Sequence, residues 1–593
     1  MNYLFVMPRF RQNKNDTYMF PLGMAYVSAS LKQVRTQVFC LNLNMNFREI
    51  EEEVRDAICK YDVDVIATGG LTPNFKQVRT IISAAKRFKP EIITMAGGGL
   101  LTATPEVIMR GIPELDIGMI AEGEITIREL AETLENGKDL GQVKGIVYRT
   151  IDQTVVRTEE REDIQDLDAL PFPDYEGFEF DGKNSVSICT SRSCPFGCSF
   201  CFHTCGKKYR SRSLDNVFEE IDWLVEKYNI KFLGILDELF SIDIVKMKAF
   251  CERIQDYDIK WSCQMRVDRM SVEMLRMMKK AGCVSISFGI ESADNRVLES
   301  MEKHITIEKV EEALIMAREA GICPFGNLLL GEKADDLESF QKCLEWYQAH
   351  PDIQLGFNKI LVLPGSKLYK YAVDNGYIQD EVKYLEDENY TINITKMSDE
   401  QYKKCVEIMD DVVARREYPL ENETVSGCDP QTHKAVVTGK CPLCGKPVTF
   451  LSKDCFAIKN GSCPECGRPY TANLYNLKKA EIEERLKSLW KNKTVVIWGV
   501  GNQALKFLYE SEILKADNLW IVDKSETKQR IIQGKQIHPI EKMGEIECNL
   551  VLVGTDSPVT NAAIRKFVKE KYPKVEEVDN LNDYLFEIVK EVL

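Results

Sequence analysis

Cys194, Cys198 and Cys201 stand in the stretch Cys194-Pro-Phe-Gly-Cys198-Ser-Phe-Cys201. Three thiolates at i, i+4 and i+7 can wrap one loop around a single cubane iron–sulfur cluster and fill three of its four iron corners. The stretch holds no fourth cysteine, so the remaining iron is open to a substrate or cofactor. An open iron suits redox chemistry on a bound ligand, whereas four-cysteine ligation suits simple electron transfer. The competing reading of the same residues is a structural zinc loop. A second set of thiols lies at Cys441-Pro-Leu-Cys444-Gly and Cys463-Pro-Glu-Cys466-Gly. Each is a tight turn that aims two sulfurs at one ion, and together they make a tetrahedral four-thiolate site with zinc-ribbon spacing. Four thiolates close the coordination sphere, so a zinc held there is structural. The rival is a rubredoxin-like iron or an auxiliary cluster that delivers electrons.

Composition narrows the setting. The chain has 593 residues, enough for several domains, and its hydrophobic content of 44% is ample for sizeable cores. A net charge of −15 and a pI near 5.2 argue against nucleic acid as a partner. The start, Met1-Asn-Tyr-Leu-Phe-Val-Met-Pro-Arg, has no basic stretch before its apolar run, so it reads as a strand and not as a signal peptide. No apolar run approaches the roughly 18 residues of a membrane span. Twenty cysteines without a leader imply a reducing, cytoplasmic interior, with cysteines serving as metal ligands or small buried hydrophobes.

The elements that must position these residues read as α/β throughout. In 1–150, strands at Tyr3–Met7, Gln37–Leu41, Val65–Thr68, Ile92–Ala96 and Ile117–Ile120 alternate with helices such as Ile50–Tyr61. That pattern predicts a doubly wound parallel sheet, which binds ligands beyond the carboxyl ends of its strands. Residues 151–184 read as a linker and 185–375 as a partial (β/α) barrel of six strands. Its strands end in polar residues: Asp237 and Glu238, then Arg266, then Glu291 with Ser292. Asp237 and Glu238 are neighbours and point to opposite faces, so one of them at most faces the site. A helical extension (376–430), the zinc ribbon (431–475) and a Rossmann-like tail (476–593) follow. In the tail, Trp498-Gly499-Val-Gly501-Asn-Gln-Ala504 is a strand, glycine turn and helix, with Ala504 at the third glycine position of a dinucleotide fingerprint.

The Cys-x3-Cys-x2-Cys stretch resembles the radical S-adenosylmethionine (SAM) superfamily, and the preceding domain resembles the cobalamin-binding domain found upstream of many such enzymes, including their methyltransferase branch. The likeness covers roughly residues 1–375 in family order. It implies that the open iron chelates SAM, whose reductive cleavage yields a 5′-deoxyadenosyl radical. By the same resemblance Phe200 lies beside the adenine, Asp237 and Glu238 meet the SAM amino group, and Arg266, Glu291 and Ser292 contact its carboxylate and ribose. The corrin loops match Pro21, Leu22 and Gly23; Thr72, Pro73 and Asn74; Gly97, Gly98, Gly99 and Thr102; and Glu122, Gly123 and Glu124. The Asp-x-His-x-x-Gly element of other cobalamin proteins is missing. The tail looks like small Rossmann-like modules appended to sugar-modifying and methyl-transferring enzymes.

The expectation is an enzyme with a 4Fe-4S cluster, SAM, cobalamin and zinc, most simply a C-methyltransferase acting on an unactivated carbon. Radical cyclisation, coupling or rearrangement without methyl transfer is the alternative. A non-catalytic cobalamin- or redox-sensing protein is the alternative from another class. A small or carrier-linked substrate and an electron donor such as flavodoxin or ferredoxin are the expected partners, with no nucleic acid and no membrane.

Overall fold

The computed structural model describes residues 1–593 except 11–17, 35, 183–185, 207, 241–242, 352, 430–431, 433, 453, 457–460, 524–530, 533 and 556–557, and the side chains of 502, 515, 558 and 559. The chain forms two bodies. The first comprises Met1–Ala320, Pro324–Cys343 and Phe357–Lys403, and the second comprises Gly321–Cys323, Leu344–Gly356 and Lys404–Leu593.

The first body opens with β1 (Asn2–Met7), β2 (Gln37–Asn42), β3 (Val65–Gly69), β4 (Ile93–Gly97), β5 (Ile117–Met119), β6 (Ile146–Arg149) and β7 (Val155–Arg157), in sheet order β2-β1-β3-β4-β5-β6-β7. β1 to β5 pair in parallel. Their residues are almost continuously apolar because helices cover both faces. β6 and β7 add an antiparallel edge, so the sheet runs past residue 150.

The barrel strands are β8 (Val186–Ile188), β11 (Phe232–Ile235), β12 (Lys260–Met265), β13 (Cys283–Glu291), β14 (Cys323–Leu330) and β15 (Gln354–Lys359), paired in that order. A two-residue ribbon, β9 (Ser191–Arg192) against β10 (Arg210–Ser211), closes the base of the cysteine loop. Strand β8 stops at Ile188, six residues before Cys194. The N–H groups of Thr190 and Ser191 turn instead to the Asp237 carboxylate, at 2.7 and 3.1 Å.

Neither unit of the first body is freestanding. Phe75, Val78 and Ile82 of helix Phe75–Phe88 share one apolar core with Val297, Met301, Ile360 and Leu368 of the barrel and with Tyr384 of the helix Glu381–Asp387 that follows it. The expected linker is ordered too: Tyr175 and Phe178 are buried, and the Tyr18 hydroxyl donates to the Phe178 carbonyl at 2.6 Å.

In the second body, β16 (Glu421–Cys428), β17 (Ala435–Lys440) and β18 (Pro447–Ser452) form an antiparallel sheet, and β19 (Gly461–Ser462) pairs with β20 (Pro469–Tyr470). The tail strands are β21 (Val495–Trp498), β22 (Leu519–Asp523), β23 (Ile531–Ile532), β24 (Lys535–Pro539), β25 (Leu550–Val553) and β26 (Glu577–Asn580), in order β23-β24-β22-β21-β25-β26. Cys441, Cys463 and Cys466 belong to the same core as Tyr475, Leu486, Val495 and Phe507, so ribbon and tail fold around one another. Among the described residues no helix is long and apolar enough to cross a membrane.

Candidate active site

Parallel pairing of β8, β11, β12 and β13 brings their carboxyl ends to one edge, and each expected strand-end residue lies there. The cysteine loop leaves from β8. Within it, the Cys201 N–H bonds the Cys198 carbonyl at 3.2 Å, and the Ser199 N–H bonds the Met301 carbonyl at 2.8 Å. Burial pushes the Cys201 thiol up to about 11, with Cys198, Glu238 and Cys194 adding to the shift and Lys303 opposing it. Burial likewise raises Cys194, against the Phe196 N–H and Arg266, which favour the thiolate. The three sulfurs therefore share one electrostatic neighbourhood with Glu238, Arg266 and Lys303. Three thiols in one loop, with no fourth cysteine bonded into the group, suit three corners of a cubane.

Asp237 and Glu238 separate cleanly. Asp237 is 3% exposed and accepts four hydrogen bonds: two from the Thr190 and Ser191 N–H groups, and two of 2.6 Å from their hydroxyls. Burial still raises its pKa despite those donors. A carboxylate so committed fixes the start of the cysteine loop and has no lone pairs directed outward. Glu238 is the open one, with a side chain 35% exposed, and it pairs with His203 Nδ1 at 2.8 Å. His203 Nε2 meets the Phe196 carbonyl at 3.0 Å. Two acceptors flank that ring, an arrangement only an imidazolium satisfies from both nitrogens.

Arg266 lies over the Phe196 ring at 3.7 Å and donates to Asp268 and to the Lys303 carbonyl. Glu291 accepts from Lys303 Nζ at 2.7 Å, with both side chains about one-tenth exposed. Burial works against the Lys303 charge, but Glu291 outweighs it and holds Lys303 above its ordinary value. Gly289 makes room for this pair, since a Cβ there would stand 2.3 Å from Lys303 Nζ and 2.6 Å from Glu291 Oε1. Glu291 itself has φ +64°, a strained conformation for a side-chain-bearing residue. Ser292, expected at SAM, is fully buried. Its hydroxyl contacts the Cys343 sulfur and caps the Asp294 N–H, so it shapes the turn and has no open face. Phe200 is half-buried, with Lys303 Nζ 5.9 Å above its ring.

Lys303 and His203 escaped the sequence reading, which followed strand ends. A signal for His203 exists, because it is one of only five histidines and lies two residues after Cys201. Lys303 follows a helix end, where a lysine is unremarkable in sequence.

The loops expected around a corrin lie at the carboxyl ends of β1, β3, β4 and β5. Gly98 has φ +82° and approaches Gly70 so closely that a Cβ would stand 2.8 Å from its carbonyl oxygen. These glycines let the β3 and β4 loops pack on each other. Asn74 Oδ1 accepts the Leu71 N–H at 3.0 Å and closes the turn of the β3 loop, whereas Thr102 Oγ1 accepts the Ala121 N–H at 2.9 Å and joins the β4 and β5 loops. Thr72 is buried, with Pro73 beside it in the short turn Thr72–Asn74. Gly97 and Gly99 are packed against Met119 and Leu71 respectively. Pro21 leads into the helix that Leu22 begins, and Gly23 has no neighbour within 4 Å of a Cβ. Large apolar side chains on these loops face solvent: Phe10 (41% exposed), Met19 (67%) and Leu71 (60%). Open apolar loop surface at the sheet's carboxyl edge fits a flat macrocycle. No histidine precedes His203, so this domain offers no imidazole to a cobalt.

One expectation is corrected here. The carboxylates of Glu122 and Glu124 do not line an open loop. They are 5% and 4% exposed, and Arg192 and Arg210 of the barrel hold them. Gly123, between them, begins helix Gly123–Glu135 under Val27.

In the second body, Cys441, Cys444, Cys463 and Cys466 bring their sulfurs within 4.8 Å of one another, the one such group among the described residues. Two sulfur pairs stand at 3.5 and 3.6 Å. A tetrahedron with metal–sulfur bonds of ~2.3 Å has edges of about 3.8 Å, so the cage has the size of a single ion. The turns are equivalent: Gly445 N–H bonds the Cys441 carbonyl and Gly467 N–H the Cys463 carbonyl, both at 2.8 Å. In the tail, the Gly499, Val500 and Gly501 N–H groups are spent on Val522, Asp523 and Gly554. The turn's own donors are therefore not aimed at a pyrophosphate.

Comparisons with known proteins match both domains of the first body. The B12 binding domain family model matches residues 13–131, and the Radical SAM superfamily model matches residues 188–346. An uncharacterized methyltransferase of Pyrococcus horikoshii is 29% identical over 370 residues, covering 60% of this chain and 79% of that protein. The anaerobic magnesium-protoporphyrin IX monomethyl ester cyclase of Rubrivivax gelatinosus is 27% identical over 406 residues, covering 65% and 72%. Among solved structures, the radical SAM methyltransferase TsrM of Kitasatospora setae, with cobalamin and a [4Fe-4S] cluster bound, aligns with a TM-score of 0.55 at 17% identity, over 63% of this chain and 75% of that one. The cobalamin-dependent radical enzyme OxsB aligns with a TM-score of 0.53 at 16% identity, over 83% and 69%. The chain thus carries a B12-binding domain followed by a radical SAM domain, as the two family models match them.

Proposed function

We propose that this enzyme C-methylates an unactivated carbon in a small or carrier-linked substrate, using cobalamin and SAM. The observation that carries the reading is the convergence of Cys194, Cys198 and Cys201 with Glu238, Arg266 and Lys303, in one body with a B12-binding domain. When bound, the cluster with SAM supplies a carbon radical and cobalamin supplies a methyl group, the combination that a carbon without a lone pair requires.

The chain's own residues then have these tasks. Cys194, Cys198 and Cys201 would hold the cluster, with no fourth cysteine in that stretch to exclude SAM. Glu238 is placed to take the SAM ammonium, with His203 orienting its carboxylate. Arg266 takes the SAM carboxylate through its Nη1 edge, which makes no hydrogen bond among the described residues. The Glu291–Lys303 pair meets the ribose side, and Phe200 the adenine. Asp237 serves as the anchor of the cysteine loop. Exposed Leu71 and Met19, with the open space at Gly23, offer the corrin its apolar seat. Cys441, Cys444, Cys463 and Cys466 hold a structural zinc, a role supported by a closed cage with no position for a substrate. A flavodoxin or ferredoxin is the fitting reductant, and a cytoplasmic location fits the exposed thiols.

The test is anaerobic reconstitution with iron, sulfide and hydroxocobalamin, then metal analysis and incubation with methyl-labelled SAM. The expected protein holds the cluster, one zinc and one corrin, and makes deoxyadenosine. Cys194→Ala makes none, and deoxyadenosine from that variant sinks the cluster assignment. A product heavier by one methylene per turnover supports methylation. Iron without corrin, or an unmethylated product, favours ring formation, the reading to which the cyclase relatives point.

A further inference from the structure

Buried between the B12-binding domain and the cysteine loop is an ion-pair node of four side chains. Arg192 Nη1 meets Glu122 Oε1 at 2.6 Å, and its Nη2 meets Glu124 Oε1 at 2.5 Å. Arg210 Nη1 meets Glu122 Oε2 at 2.7 Å. All four side chains are at most 12% exposed. The charges balance, two guanidinium groups against two carboxylates. Arg192 also stacks over the Tyr26 ring at 5.3 Å. Glu122 Oε2 further accepts the Ile164 N–H at 2.7 Å, and Arg210 donates to the Ile164 carbonyl at 2.7 Å.

Arg192 and Arg210 are a register pair of the β9–β10 ribbon, so they sit side by side at the base of the loop that carries the three cysteines. Arg192 lies two residues before Cys194. Between them Ser193 is 1% exposed, has φ +69°, and donates to the Cys205 carbonyl at 2.6 Å. Arg210 Nη2 reaches that same carbonyl at 2.5 Å. One side of the node is thus the loop after β5, where the B12-binding domain presents its ligand edge. The other side is the frame of the cysteine loop.

Buried ion pairs are poor devices for stability, because desolvation offsets their attraction and apolar replacements are often as stable. Their better-attested use is to fix one register between two elements. We infer that Glu122, Glu124, Arg192 and Arg210 are positioning residues that set the separation between the B12-binding domain's ligand edge and the cysteine cluster. This inference rests on the two-cofactor reading above. Group transfer between two bound cofactors is sensitive to such spacing: a displacement of roughly 1 Å costs about a hundredfold in well-aligned reactions.

The experiment uses the full-length chain as Glu122→Gln, Glu124→Gln and the apolar quadruple Glu122→Met/Glu124→Leu/Arg192→Met/Arg210→Leu. In cofactor-free protein, amide hydrogen exchange between Ser193 and Tyr209 rises roughly tenfold in Glu122→Gln and less in Glu124→Gln. In reconstituted protein, iron and corrin contents match the parent. Pulsed electron paramagnetic resonance then reads a broadened distance distribution between reduced cluster and cob(II)alamin, and the ratio of deoxyadenosine to final product rises at least about tenfold. Unchanged exchange, distance distribution and ratio in folded variants overturn the inference. If Glu122→Gln does not fold, Glu124→Gln and the quadruple variant decide. If the parent binds no corrin, the two-cofactor reading fails, and the exchange measurement alone still reports whether the node fixes the loop.

Discussion

Substituting Lys303 by Met removes the ammonium from Glu291 while keeping a chain of similar length in the same space. Glu291 and Lys303 are each about one-tenth exposed and 2.7 Å apart. The carboxylate left behind is buried without its partner, which costs about 3–5 kcal/mol. The Lys303 backbone carbonyl, which receives Arg266, is unaffected by the change. The Arg266 side of the site therefore acts as an internal control. In the double variant Glu291→Gln/Lys303→Met the stranded charge is gone, so part of the loss returns, with a coupling of about 2 kcal/mol. Gly289→Ala, whose Cβ would strike both partners, is expected to act in the same direction. Calorimetry of the metal-free chain reads the transition of the first body for Lys303→Met, the single Glu291→Gln, the double variant and Gly289→Ala. A cost below about 1 kcal/mol for Lys303→Met, or a double variant no more stable than the worse single one, refutes the claim that the pair is buried and mutually dependent.

Two other outcomes follow from the same coordinates. Chelation of zinc, or Cys466→Ala, is expected to remove one zinc per chain and melt the core shared by ribbon and tail, because structural zinc is worth about 10 kcal/mol or more in small modules. A calorimetric transition of the second body unchanged after metal loss refutes this. Burial pushes Asp335 up from its ordinary 3.8 to about 6, although the Gly331 and Glu332 N–H groups and the Ser339 hydroxyl bond it. A raised folded value for an acid means the unfolded chain releases its proton first, so stability falls as pH rises from about 4 through about 6. The loss is about 3 kcal/mol relative to Asp335→Asn. A pH-independent difference between parent and variant over that window contradicts it.

Much of this molecule was legible from its residues. The five parallel strands of the first sheet lie within a residue or two of expectation, because strands covered on two faces read as apolar runs ended by polar residues. The cysteine spacings were equally direct, since a ligand set confined to one loop or two turns depends on local geometry alone. The domain edges were less legible. Residues 151–184 read as a linker because Tyr175 and Phe178 follow no period, and their partners, Glu220 and Tyr18, are remote in sequence.

What the sequence alone determined is the chemistry available: three thiolates for a cluster, four for an ion, acids and a cation at strand ends, and loops of glycine at a sheet edge. Tertiary structure decided how that inventory is used. It committed Asp237 to four donors and left Glu238 open. It buried Ser292, brought Lys303 to Glu291, and turned Glu122 and Glu124 from a ligand edge toward two arginines. The physical reason is common to all of these. Strand alternation and loop spacing say which residues reach an edge, but whether a carboxylate there meets ligand or protein depends on where distant donors arrive, and those distances are fixed only when the chain closes.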